Sequence, residues 1–162
     1  MACQLCAAPK DTNTCEACEA RVCKNCVVFN NPERYRFHPA PPAELKREIF
    51  CVDCFERDAA PALAEYDAVL ERSKEVKVIS KLFRGPVPLV KQARVKTTVN
   101  DHVDVNIATM HLKFLCAWEN YDSVVKFESE ATKVRNHGYQ KMSWRATGLF
   151  VLLDHRRFRP EG

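Results

Sequence analysis

Eight of the nine cysteines stand in the first third of the chain, as four Cys-x-x-Cys pairs: Cys3 and Cys6, Cys15 and Cys18, Cys23 and Cys26, Cys51 and Cys54. Each such turn points two sulfurs at one ion, and zinc takes four ligands in a tetrahedron. Four pairs therefore predict two Zn2+ sites, each closed by four thiolates. A closed site leaves no open position for water or substrate, so both sites are expected to be structural and the chain not to be an enzyme. A disulfide framework belongs to exported chains, whereas Met1-Ala2-Cys3-Gln4-Leu5-Cys6 carries neither a basic nor an apolar leader region. An iron–sulfur protein would show a clustered ferredoxin-type run. Reduced, metal-bound cysteines in a cytoplasmic protein are the expectation.

The pairs are separated by 8, 4 and 24 residues. Four residues between Cys18 and Cys23 are few for one site made of neighbouring pairs, which favours an interleaved cross-brace. Cys3, Cys6, Cys23 and Cys26 then hold the first zinc; Cys15, Cys18, Cys51 and Cys54 hold the second. The apolar residues available to this region are Leu5, Val22, Val27, Val28, Phe29, Ile49, Phe50 and Phe55. So thin a core needs metal binding to fold it, at ~10–16 kcal/mol per structural zinc in model peptides.

This spacing resembles FYVE-type zinc fingers, including those of Rab effectors, over residues 3–58. The mark is the four residues between the fourth and fifth cysteines. The lipid-reading motifs of that family are missing. Only two residues precede Cys3, Thr12-Asn13-Thr14-Cys15-Glu16 holds no base, and Ile49-Phe50 stands where Arg-Val precedes the seventh cysteine. Binding of phosphatidylinositol 3-phosphate is not implied. RING fingers are a second cross-brace relative. Leu5, before the second ligand, matches the apolar contact of RING ubiquitin ligases, but the ligand-pair histidine and the usual spacing are absent.

Net charge is +4. Residues 1–60 hold eight Lys/Arg and nine Asp/Glu, and residues 61–162 hold 17 and 12. Eight thiolates with two zinc ions take the first region from −1 to −5 and bring the whole molecule near zero. The basic composition is thus no argument for nucleic acid, which is an unexpected partner on this reading. No apolar run approaches the ~20 residues of a membrane span.

The elements that follow read as α+β: a small two-zinc finger (1–58), a linking helix (59–75), a β-α-β-hairpin domain (76–155) and a tail (156–162). Asp58 is a candidate N-cap with Pro61 in the first turn, and Leu63, Tyr66, Val69 and Leu70 mark one helix face over 59–73. Val76, Val78, Ser80 and Leu82 alternate with Lys77, Ile79 and Lys81, a strand pattern; residues 84–88 form a turn, and the β-branched 93–99 form another strand or an irregular extended segment, broken by Asn100-Asp101-His102. Residues 103–107 form another short strand or the approach to a helix over 108–120, apolar almost all round, which suits either a central helix or an oligomer interface. Residues 123–135 and 139–153 make a long hairpin around Asn136-His137-Gly138. Val125 and Phe127 share one face, as do Met142, Trp144, Ala146, Gly148, Phe150 and Leu152. His155 to Arg159 is expected to be a solvated end. Residues 76–153 are faintly similar to small bacterial YbjQ-like α+β domains, which implies ring-like self-association.

Tyr35, Arg36, Phe37 and His38 form a basic-aromatic tip in the loop between the sixth and seventh cysteines, open to a partner or a membrane surface. His102, His111 and His137 suggest no site, and Cys116 is a small core residue. No Ser-His-Asp or Cys-His pairing, no carboxylate pair on one face and no Gly-rich phosphate loop is present, with only four glycines in the chain. The expected function is a zinc-bearing adaptor that binds another protein and forms a homo-oligomer through the α+β domain. Membrane-surface binding and RING-like ubiquitin ligation are the alternatives.

Overall fold

Between Cys3 and Phe50 the chain has little regular structure, because its order is set by turns that aim sulfurs inward. The computed structural model describes residues 1–160, as a mixture of helix and sheet of α+β character. It divides into a unit over Met1–Ala68 and a second from Val69 onward.

In the first unit, strand β1 (Asn13–Thr14) pairs antiparallel with β2 (Arg21–Val22), and β3 (Val27–Phe29) with β4 (Ile49–Cys51). Cys15 and Cys18 lie in the β1–β2 turn. Between β3 and β4 the chain makes a tight turn at Pro32–Tyr35 and a short helix α1 (Ala43–Lys46). Asn30 braces this excursion. Its buried amide donates to the carbonyls of Leu45 (3.0 Å) and Arg47 (2.8 Å), and its oxygen accepts from the Tyr35 hydroxyl (2.7 Å).

Helix α2 (Val52–Cys54), one wide turn (Phe55–Ala59) and helix α3 (Ala60–Lys74) run on without a break. Asp58 is therefore not an N-cap. The cap is Cys51, whose Sγ accepts the Cys54 N–H at 3.4 Å. Pro61 lies within the helical run, which tolerates it through the preceding wide turn: the Ala60 N–H reaches back to the Phe55 carbonyl. Tyr66, Val69 and Ser73 are the buried positions of α3, while Leu63 and Leu70 are half-buried.

The second unit is a five-stranded sheet. Strand β5 (Lys77–Ser80) lies parallel to β8 (Ser123–Asn136), β8 pairs antiparallel with β9 (Tyr139–Leu153), and both β6 (Leu89–Gln92) and β7 (Thr97–His102) pair with the far side of β9. Helix α4 (Val105–Trp118) starts at Asp104, whose carboxylate accepts the Asn106 N–H, and it packs over the sheet. A Cβ on Gly148 would lie 2.2 Å from the Val124 side chain of β8, so that side chain can sit against β9 as it does only because Gly148 carries none.

Three further expectations are corrected here, and strand β6 stands where the sequence pattern marks no element. Strand β7 continues through Asn100-Asp101-His102, because Asp101 takes φ 61° and absorbs a register shift that a straight strand could not. A bulge between Val125 and Glu128, with Lys126 at φ 53°, breaks the alternation of β8, so Glu128 shares a face with Val125. The end after Leu153 is not wholly solvated: Phe158 is buried against Ile79, Val125, Leu149, Val151 and Leu153 on the sheet face opposite α4. Both faces of β9 are covered near its end, so burial there is continuous from Gly148 to Val151.

Candidate metal centre

The turn after each of the first two cysteine pairs has the same local geometry. Ala7, directly after Cys6, takes φ 58°, and its N–H meets the Cys3 carbonyl at 2.9 Å. Glu19, directly after Cys18, takes φ 62° and bonds to the Cys15 carbonyl at 2.8 Å. Left-handed backbone costs a non-glycine residue about 1–2 kcal/mol. Two such turns in matching places show local sequence preference yielding to the demand that two sulfurs face one point.

They face shared points. Cys3, Cys6, Cys23 and Cys26 bring their sulfurs within 4.8 Å of one another, and Cys15, Cys18, Cys51 and Cys54 do the same. The sets interleave along the chain, as a cross-brace does. The separations of Cys6 from Cys23 (3.6 Å) and of Cys18 from Cys51 (3.9 Å) match a sulfur tetrahedron around zinc, whose edge is about 3.8 Å for a bond of ~2.3 Å. A disulfide would need ~2.05 Å. Each set is therefore of the right chemistry and size for a zinc ion.

The electrostatics point the same way. Burial opposes ionisation of Cys3, but N–H groups of Cys23, Cys6 and Leu5 outweigh it and bring the thiol to about 6. Burial likewise opposes Cys15, where N–H groups of Cys51, Cys18 and Ala17 prevail and the thiol falls to about 7. The last cysteine of each set behaves oppositely. Cys26 is pushed up to about 12 by the neighbouring sulfurs, Cys6 first, and by burial. Cys54 is pushed to about 12 by burial and then by the sulfurs of Cys51, Cys18 and Cys15. Backbone donors prepare each pocket for anionic sulfur, yet four anions at this spacing repel, and a divalent cation is what relieves them. Arg57 adds support that spacing alone did not suggest: one helical turn after Cys54, its guanidinium reaches the Cys54 Sγ at 3.5 Å.

Cys3, Cys15, Cys23, Cys51 and Cys54 are buried together with Val22, Phe50 and Ala59 in one cluster, with Phe55 edge-on to Phe50 at 5.8 Å. Members of both sulfur sets share that cluster, so the two sites are mechanically one. Arg21 Nε lies 2.6 Å from Asp11 and ties β2 to the chain entering β1.

The Tyr35–His38 tip is not an open contact surface. Tyr35 and Phe37 are buried, Tyr35 packs edge-on to Tyr66 at 5.4 Å, and His38 stacks on the same ring at 6.3 Å. Arg36 alone is exposed, above the Phe37 ring. The loop faces the helix because Asn30 and Tyr66 offer it partners that its sequence does not reveal. His102 and His111 do meet, with ring nitrogens 2.8 Å apart, and join β7 to α4. Cys116 is buried, pushed up to about 12 by burial, and donates to the Ser123 carbonyl. Among the described residues, only the two cysteine sets bring three or more metal-ligating side chains together. In comparisons with family models, curated proteins and solved structures, nothing matches this chain.

Proposed function

We propose that the first unit is a FYVE-like cross-brace finger that carries two zinc ions and serves as the non-catalytic, protein-binding module of a cytoplasmic adaptor. One observation supports this above the others: all eight paired cysteines belong to two closed four-sulfur sets, so the metal builds a surface and not a reaction centre. That surface leaves Leu5 40% and Phe29 68% exposed, in a unit with few apolar residues to spare. An apolar patch on a partner would cover them, and basic groups around it would suit a region at −5 once metallated.

The same charge repels phosphoinositide headgroups, and the aromatic tip that would enter a bilayer is occupied within the unit. Among the described residues no helix is long and apolar enough to cross a membrane. The ubiquitin-ligase alternative keeps its one feature, the exposed Leu5 beside the second ligand. Self-association through the second unit would make weak finger contacts multivalent.

Placing a photo-crosslinking residue at Leu5 or Phe29 in the zinc-loaded chain tests the reading. Discrete protein adducts that vanish in a Cys15→Ser background are expected. Adducts confined to lipid, or none at either position, would contradict it. Self-ubiquitination that Leu5→Ala abolishes would move the assignment to a ligase.

A further inference from the structure

The hairpin of β8 and β9 runs well past the rest of its sheet. From Thr132↔Ser143 to Asn136↔Tyr139 the two strands pair only with each other, for five residue pairs or about 14 Å. Residues 132–142 are exposed on both faces of this ribbon. Its turn is of the hairpin kind: His137 and Gly138 take φ 48° and 87°, the left-handed pair that matches strand twist. An unsupported two-stranded ribbon is marginal in water, so its retention at this length calls for a use.

Its chemistry is one-sided in sign. Residues 131–142 (Ala-Thr-Lys-Val-Arg-Asn-His-Gly-Tyr-Gln-Lys-Met) contain Lys133, Arg135 and Lys141, the histidine, and no acid. The acids of the hairpin lie below: Glu128 pairs with Lys81, and Glu130 with Arg145. Asp101 and Glu130 line a hollow with Lys133 and Arg145 at the base of the arm. Tyr139, 81% exposed, stands beside the turn. The near-neutral total for the metallated chain averages over this local concentration.

Cross-strand register places the cations on both faces. Lys133 pairs with Met142 and Arg135 with Gln140 on one face, whereas Lys141 pairs with Val134 on the other. A bilayer or a flat acidic protein surface would engage one face and leave the other solvated. A second copy of the arm would bring like charges together. The groove of a nucleic-acid duplex presents phosphates on both sides of whatever enters it. A two-stranded ribbon, with its strands ~4.8 Å apart and side chains extending from both faces, fits the ~12 Å major groove of B-DNA and not the deep, narrow one of A-form RNA. We propose that the β8–β9 arm is a DNA-binding element that enters the major groove, with Lys133, Arg135 and Lys141 on the flanking phosphates and Tyr139 at its tip.

The test uses the full zinc-loaded chain and fluorescence anisotropy with a labelled duplex of mixed sequence. Two to three phosphate contacts predict a slope of about −0.9 per contact in log K against log salt. Affinity should then fall roughly 10- to 40-fold between 50 and 200 mM salt. The triple variant Lys133→Gln/Arg135→Gln/Lys141→Gln changes only exposed side chains, so its melting temperature and zinc content should match the parent while DNA binding is lost. Duplex RNA of the same sequence should bind more weakly. Equal binding by parent and triple variant would overturn the proposal, as would no binding by the parent at 50 mM salt. Equal or tighter binding of duplex RNA, anionic vesicles or polyglutamate would also overturn it, because each removes the groove as the reason for the fit.

Discussion

Cysteine chemistry decides most of what happens at the scale of single residues. Cys15 is fully buried, sits in the second sulfur set, and shares its cluster with Cys3 and Cys23 of the first. Cys15→Ser should therefore lower bound zinc from two per chain toward none, because losing one corner loosens the core of both sites. Cys116→Ser should leave it at two. Metal analysis of the two purified variants distinguishes these outcomes, and equal loss in both would refute the assignment. A second residue-scale prediction concerns Asp122. Burial opposes its charge, but the Leu153 N–H, His155 and the Ser123 hydroxyl outweigh burial and hold the carboxyl below the usual carboxylate range. A group depressed in the folded state stabilises above its unfolded value of ~3.9, and that stability is lost as pH falls through the folded value. Asp122→Asn should lower the thermal midpoint at neutral pH and flatten the acid limb below about pH 4; an unchanged acid limb would sink this.

Elements are where the sequence spoke unevenly. The cysteine spacing indicated the cross-brace because few residues separate Cys18 from Cys23, and the hairpin was legible because alternation over 139–153 is long. Helix α4 was visible from its apolar content. Other features were hidden because they depend on partners distant in sequence. Strand β6 is exposed throughout and has no alternation to read; it exists because β9 offers it hydrogen bonds. The burial of Tyr35 needs Asn30 and Tyr66, and that of Phe158 needs the open face of β9. The bulge at Lys126 carries no glycine to announce it. Two substitutions test how tightly these elements are joined. Gly148→Ala puts a methyl 2.2 Å from Val124 and should cost about 1–3 kcal/mol by overpacking. Phe158→Ala should cost about 3–5 kcal/mol, near the loss for a buried aromatic. Denaturant titrations would check both, and a Phe158→Ala change within 0.5 kcal/mol of zero would return that segment to a solvated tail.

For the molecule as a whole, the two units owe their stability to different sources. The second has an ordinary interior, with Val99, Leu112, Phe114, Val124, Phe150 and Val151 buried. The first has Val22, Phe50 and Ala59 gathered among five cysteines, with Tyr35, Phe37, Leu45 and Tyr66 buried apart from that cluster, too little apolar surface to offset chain entropy over some sixty residues. A strong chelator should thus unfold the first unit and leave the amide protection of β8 and β9 in place. Hydrogen exchange would show this as loss confined to the first unit. Uniform retention would mean that the cysteine-rich unit stands without metal.

Native mass spectrometry of the purified chain, paired with thiol alkylation under the same non-denaturing conditions, tests the central claim most directly. The account predicts a mass increment of two zinc ions per chain and eight paired cysteines protected from the reagent until chelator is added. Fewer than two metal ions, with those cysteines alkylated at once, would contradict it.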